Sequence, residues 1–448
     1  MHVAVIGAGA AGLGAALRLR EEGHNVTVFD KNADVGGRCR TFFWHGQWLI
    51  SGAAAFVGSE DNLIDQAKAL GIYSPSEIVD QMPRHRWNIY RHDKPLIELA
   101  SFGFSDILTC GAMPFGEKAG LALTLPMLLK QMARYDRHDP TVAADLDTIN
   151  ACAYFREKSP FFADYILEPI MQVFTGFDED DFSLAFIAWM FGASTMRDNG
   201  WWDFKERGVG RLTHEMGLAL ERQQAGTVRT SHVVKDVAET ENGVTVQVLD
   251  DRGAPARLNF DAAIMALPGS MVAAANSTLA TERRPFFEQV EYVGHYICYA
   301  VIRFPDPEVR AMRRVLPTIE GFSVVSNFTI SALADGSGNH LIYCEIKGDA
   351  CIRMQASSDA SIMEELLGEI AQVATDVASA TLIDSYVQRN DIAISRRHVG
   401  YTKALKSYLE MPETGRIAYA GDYLLSSTVG QAHYTGLRAA DRLLARLG

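Results

Sequence analysis

Val3-Ala4-Val5-Ile6-Gly7-Ala8-Gly9-Ala10-Ala11-Gly12 opens the chain and decides its first fold element. Small apolar residues running into a Gly-x-Gly-x-x-Gly turn predict a strand, and a helical stretch follows the turn. Then comes Val26-Thr27-Val28-Phe29-Asp30, a second strand closed by a carboxylate eighteen residues beyond Gly12. The glycine pattern alone could be an ordinary loop. In the order strand, turn, helix, strand, acid it reads as a dinucleotide-binding unit. Gly7 permits the tight turn, Gly9 lets the backbone approach a pyrophosphate, and Gly12 lets the helix lie close on the sheet. The helix N-terminus, with Ala11 in its first turn, offers N–H groups and partial positive charge to the phosphates. Asp30 is placed to accept hydrogen bonds from a ribose diol, with Lys31 beside it.

Composition sets the outer limits. At 448 residues the chain exceeds the size at which one core stops growing, so two domains are expected. Hydrophobic residues make up 48% and charged residues 22%, as in an ordinary globular protein. A formal net charge of −13 argues against nucleic acid as a partner and against a polybasic membrane anchor. Six cysteines (39, 110, 152, 298, 344, 351) show no CxxC spacing, which suits a reducing, cytoplasmic setting. The first strand begins at His2 or Val3, which leaves no room for a cleavable leader. No apolar run reaches the roughly 18–20 residues of a membrane span. The nearest, 119–129, sits between Lys118 and Lys130 and predicts a buried or amphipathic helix, with peripheral membrane association left open. The histidines lack metal-site spacing, and no hydrolase elbow is present.

Further along, 227–267 reads as several strands with an Asn242-Gly243 hairpin signal, alternating Val244/Val246/Val248, and a last strand at 262–267 stopped by Pro268. Residues 417–420 predict another strand, Gly421 a turn, and 429–447 a helix. Two insertions interrupt these pieces. One is mostly helical, with patterned apolar residues at 121–133 and 163–174. The other predicts strands at 297–304, 322–327 and 340–346 and a helix over 361–378.

Gly36-Gly37-Arg38 with Thr41, Gly208-Val209-Gly210-Arg211-Leu212, and Ala420-Gly421-Asp422 followed by Gly436-Leu437-Arg438-Ala439-Ala440 resemble the flavin-containing amine oxidase and protoporphyrinogen oxidase superfamily. The resemblance implies an α/β fold: an FAD-binding Rossmann-like domain of the glutathione-reductase type, interrupted by a mixed α+β substrate domain. The expected division is 1–85, 205–285 and 396–448 for FAD, and 86–204 with 286–395 for substrate. It also implies FAD rather than NAD. Gly37 and Arg38 would meet the pyrophosphate region. Ala53 and Ala54 would pass beside the flavin ring, and Val234 would lie against the adenine. Gly421 and Asp422 would meet the pyrophosphate or ribityl chain. Val429 would open a helix whose positive end faces the flavin N1/O2 edge. With no cysteine in 401–420, FAD is expected to be held non-covalently.

Departures from that resemblance shape the functional expectation. Aligning 294–304 with the relatives' lysine-bearing strand puts Cys298 at the lysine. Thr428 stands where an aromatic residue forms a cage wall, and Ser51 replaces an aspartate. Thr428, Cys298, Phe56 and Trp202 are therefore the candidate substrate residues, and no catalytic residue is assigned. Trp201-Trp202 could equally be packing at a domain junction, and His433 and His295 read as structural. The expected function is an FAD-dependent oxidoreductase, oxidase or desaturase, taking a hydride from C–N or C–C of a small organic molecule, with O2 as acceptor. The ligand is expected to be uncharged and fairly large, oriented by shape more than by a charge pair. The alternatives are a double-bond isomerase and a non-catalytic flavin-binding partner.

Overall fold

Residues 1–58, 60–80, 87–100, 103–192, 200–224, 226–306 and 311–447 are described by the computed structural model of the chain. Its first layer is a five-stranded parallel sheet. The strand order is Val228–Arg229, Asn25–Phe29, His2–Ile6, Ala262–Met265 and Ile417–Tyr419. Three widely separated stretches of sequence thus meet in one sheet. Its central strands are almost wholly apolar, as strands covered on both faces must be.

Two helices lie side by side on one face, Ala10–Glu21 and Val429–Leu447. Their closeness depends on glycine. A Cβ at Gly436 would come within 1.9 Å of the Ala11 carbonyl oxygen, and one at Gly14 within 2.6 Å of the His433 ring. His433 is fully buried in that packing, and burial pushes its pKa down to about 4, so it is neutral at ordinary pH.

An antiparallel sheet follows, Val233–Thr240, Gly243–Leu249 and Pro255–Phe260. Thr240 pairs directly with Gly243, so the hairpin turns on Glu241 and Asn242 rather than on Asn242-Gly243. Gly243 is needed for another reason: a Cβ there would come within 2.4 Å of the Phe260 carbonyl oxygen.

The second main layer is a seven-stranded sheet. Across it run Thr381–Gln388, Ile297–Arg303, His340–Ile346, Val325–Ala332, Met312–Val315, Trp87–Ile89 and Ile97–Leu99. Its outer face packs on the helix Asp359–Val373, which starts where the Ser358 hydroxyl accepts a hydrogen bond from the Ser361 N–H. That helix stops earlier than the sequence pattern suggests, and a separate 3-10 turn, Thr375–Ser379, completes the apolar stretch. The strand expected at 322–327 lies later, because Val325–Ala332 is the length that pairs with His340–Ile346.

Trp201–Phe204 pairs with Phe56–Val57 and Ile78–Asp80, which joins it to the segment beside the parallel sheet. The expected boundary at 85/86 lies outside the described residues. The apolar run at 119–129 forms two amphipathic helices, Phe115–Ala122 and Leu125–Arg134. Leu121 and Leu128 face inward, while Leu123 and Leu129 remain 77% and 57% exposed. Among the described residues no helix is long and apolar enough to cross a membrane.

Candidate functional site

At the nucleotide end, glycine is required by backbone approach. Gly7 has φ +106°, and a Cβ on it would come within 2.6 Å of the Ala266 carbonyl oxygen. A Cβ on Gly12 would come within 1.8 Å of the Gly7 carbonyl oxygen. Gly9 differs, because a Cβ there would meet nothing within 4 Å. The space over Gly9 is open where the helix Ala10–Glu21 begins, and no side chain caps that helix. Its first N–H groups therefore remain available to an anion. Asp30 is buried and fixed: Ala8 N–H donates to one carboxylate oxygen at 2.8 Å, and Asn32 N–H to the other at 2.8 Å. Lys31 is exposed beside it, and Val234 lies half-buried at the edge of the antiparallel sheet. An open anion cradle above Gly9, beside a fixed carboxylate, fits a dinucleotide.

Gly36 and Gly37 take positive φ values and run alongside Gly9, which brings Arg38 into the cleft. Its guanidinium donates to both Asp422 oxygens, at 3.0 and 2.9 Å, and to the Ala393 carbonyl. Asp422 also accepts from the Tyr292 hydroxyl at 3.1 Å. Burial alone would raise the Asp422 pKa, but Arg38 beside it holds the carboxyl below its ordinary range. Two residues expected to reach a cofactor separately are thus locked to each other. The Asp422 side chain is only 3% exposed, while Arg38 keeps 36%, so the cation is the partner with surface left for a ligand.

The segment expected beside the flavin is tied to both layers. A Cβ on Gly52 would come within 2.1 Å of the Arg38 carbonyl oxygen, and Ala53 N–H donates to that same oxygen at 2.8 Å. Ser51 donates its hydroxyl to Arg40 O, while Tyr299 and Asn390 donate to the carbonyls of Ile50 and Ser51, each at 2.8 Å. Ala54 is exposed and Ala53 half-buried, so this stretch borders open space. Just beyond it lies Glu60, which the sequence does not single out. Its buried carboxyl accepts from the Thr428 hydroxyl and from the N–H groups of Gly430 and Gln431, at the start of the C-terminal helix. Burial pushes its pKa up to about 7, against those hydrogen bonds.

Of the four candidate substrate residues, Phe56, Trp202 and Thr428 lie in one neighbourhood and Cys298 lies apart from them. Cys298 packs on the outer face of the seven-stranded sheet, among residues that meet the helix Asp359–Val373. Its strand neighbours Ile297 and Tyr299 are the ones that face the hairpin Thr41–Trp44 and Gln47–Ile50. Phe56 and Trp202 are buried against each other, ring centroids 4.6 Å apart, in the core beneath the parallel sheet. Trp201 takes the outward position instead and stacks on Phe174 at 5.1 Å. Thr428 turns its hydroxyl to Glu60. The period of a strand decides these outcomes: a one-residue step reverses the face.

Strand register assembles a different group. Arg313, Thr329, Tyr343 and Tyr299 lie side by side across four strands, and Asn327 pairs with Glu345 in the adjoining row. Glu345 accepts from Tyr343 and Asn327 and faces His295 Nε2 at 3.7 Å. Burial would raise its pKa, yet His295, Tyr343 and Asn327 hold it below the ordinary carboxylate range, so it is an anion. A separate cavity of about 200 Å³ lies between Glu239, Arg283, Glu413 and Arg446; its Arg446 and Glu413 are already paired at 2.6 Å. Among the described residues no cluster could hold a metal ion.

A two-layer fold with an open nucleotide cradle at its junction defines the class, and the comparisons with known proteins fix the family. The family described as flavin containing amine oxidoreductase matches residues 10–444, and the chain belongs to it. It is therefore a flavin enzyme by family, with FAD as its cofactor. The chain is similar to 4,4'-diapophytoene desaturase (4,4'-diaponeurosporene-forming) of Staphylococcus haemolyticus, 57% identical over 105 residues, 22% of this chain and 20% of that protein. It is similar to mitochondrial protoporphyrinogen oxidase of Nicotiana tabacum, 26% identical over 183 residues, 41% of this chain and 34% of that protein. The matched stretches thus span only a fifth to a third of these relatives. A putrescine oxidase with redesigned cofactor binding shares the fold, with a TM-score of 0.77 over 99% of this chain and 98% of that one, at 17% identity.

Proposed function

We propose that the chain is an FAD-dependent oxidoreductase that removes a hydride from a C–N or C–C bond of a small organic metabolite. FAD is held non-covalently, and O2 is the acceptor. Bound FAD supplies the two-electron acceptor that no side chain can provide. The observation that carries the reading is the open space over Gly9 at the uncapped start of the helix Ala10–Glu21, together with the exposed Ala54 and half-buried Ala53 on the segment held to Arg38.

The N–H groups at the start of Ala10–Glu21 would bind the pyrophosphate, and Asp30 would take the ribose hydroxyls. Gly7 and Gly12 keep the backbones close, Gly421 clears the Tyr423 ring, and Arg38 would add a cation on the Asp422 side. Ala53 and Ala54 would leave room for a ring, while the first N–H groups of Val429–Leu447, those of Gly430 and Gln431, are taken by Glu60. The sheet face above excludes water and orients the bond to be broken, and a substrate whose reacting end is neutral needs no protein base. Mixing the yellow protein anaerobically with candidate metabolites should bleach the flavin with at least one of them, and air should restore the colour. Bleaching that air cannot reverse would contradict O2 as acceptor. A flavin that no C–N or C–C donor reduces would contradict the reaction.

A further inference from the structure

Along the covered face of the seven-stranded sheet, most side chains are either buried apolar groups or hydrogen-bonded polar ones. Arg313 is neither. No ion pair engages its guanidinium among the described residues, and its buried Nε has no hydrogen-bond partner. Its guanidinium carbon stands 5.0 Å from the centroid of the Trp87 ring. Trp87 meets Phe174 at 5.3 Å, and Phe174 stacks on Trp201.

Exposure follows the same line. Arg313, Thr329 and Tyr343 keep partial exposure, whereas Phe328, Ile330, Ile342 and Cys344 on the opposite face of the same strands are fully buried. The middle of the covered face is thus partly exposed, with aromatic side chains beside it and, among the described residues, no ion pair on the Arg313 cation. Glu345 attracts Arg313 through space but makes no ion pair with it, because its oxygens are engaged by Tyr343, Asn327 and His295. Burial lowers the Arg313 pKa in spite of Tyr343 and Glu345, as expected of a cation short of compensation.

We infer that Arg313 is the anchor for a carboxylate at the far end of the substrate, so that the substrate is an organic acid with a flat or extended apolar body. This rests on the flavin-oxidoreductase reading above and revises the expectation of an uncharged ligand: the reacting end stays neutral while the distal end is an anion. A guanidinium fork matches a carboxylate in two hydrogen bonds, and the Trp87 ring behind it holds the fork in place. The aromatic wall of Trp87, Phe174 and Trp201 then takes the apolar body.

The test uses the holoprotein with two matched sets of probes: 4-phenylbutanoate with its amide and its amine, and hexadecanoate with hexadecylamine. Binding is read as quenching of tryptophan fluorescence and as perturbation of the flavin spectrum. The acid should bind about 30-fold more tightly than its amide, the value of one charge-assisted pair. Arg313→Gln should reduce that ratio to about one, and Arg313→Lys should restore part of it. If Arg313→Gln does not fold, Arg313→Lys alone decides, since an unchanged ratio in it would overturn the assignment. Equal binding of acid, amide and amine by the wild type, or no binding of either acid, would overturn it too. Tryptophan quenching can also be read in flavin-stripped protein, so a failure of the redox reading is distinguishable from a failure of the anchor.

Discussion

The nucleotide end and the substrate face are built on different physics. Around Gly7, Gly9 and Gly12 the constraint is the distance between backbones, and polar groups are either fixed, like Asp30, or left open, like the helix N-terminus. On the seven-stranded sheet the constraint is register. Residues from four strands are placed in rows, and a one-residue step decides between Cys298 facing a helix and Tyr299 facing the hairpin. The first kind of site tolerates little change in shape. The second tolerates change in shape and responds to charge.

The largest expected effect contrasts two glycines three residues apart, Gly9 and Gly12. Gly12→Ala drives a Cβ into the Gly7 carbonyl and should cost about 4 kcal/mol or more, enough to abolish soluble protein. Gly9→Ala meets no protein atom and should change thermal stability by less than about 1 kcal/mol while weakening FAD binding. Equal stability of the two variants would break the distinction.

Next comes the Arg38–Asp422 pair at the nucleotide end, which also holds Ala393 and Tyr292. Asp422→Asn leaves the Arg38 guanidinium without its carboxylate and should cost about 3 kcal/mol, the lower end for a broken buried pair, because Arg38 is partly exposed. The Asp422 pKa is depressed in the folded chain, so its contribution is present above the unfolded value of about 4 and is lost as pH falls through the folded value. Urea unfolding at neutral and strongly acidic pH should therefore show a gap between wild type and variant that closes in acid.

An effect no larger than that, and confined to a pH window, is expected at Glu60, whose pKa is raised to about 7. A raised carboxyl binds more protons folded than unfolded, so its effect makes the chain less stable as pH climbs from about 4.5 to 7. His433, lowered to about 4, acts in the opposite sense across much of that window, and Cys39 and Tyr135 also sense the Glu60 charge. Glu60→Gln should remove the Glu60 component alone. The variant should match wild type near pH 4.5 and exceed it by up to about 3 kcal/mol near pH 8. A stability difference independent of pH would show that Glu60 keeps its ordinary pKa.

What the sequence discloses follows the same division. Gly-x-Gly-x-x-Gly, the acid-ended strand and the paired glycines at 36 and 37 are local signals, and the family resemblance builds on them. The helix from Val429 to Leu447 is legible from its apolar spacing. Glu60 is not legible, because its partners Thr428, Gly430 and Gln431 stand at the other end of the chain. Arg313 and Glu345 are single charges in otherwise ordinary strands, and only pairing across Val325–Ala332 and His340–Ile346 places them on one face. Phe56 and Trp202 look like pocket aromatics in sequence, yet alternation along their strands turns both inward and leaves Trp201 outward.

The claim on which the rest depends is that the cleft between the two layers holds FAD without a covalent bond. Acid precipitation of the purified holoprotein tests it directly, by the flavin colour of supernatant and pellet. All of the flavin is expected in the supernatant, at one FAD per chain. Yellow colour retained in the washed pellet, or a folded chain that binds NAD and never FAD, would contradict it.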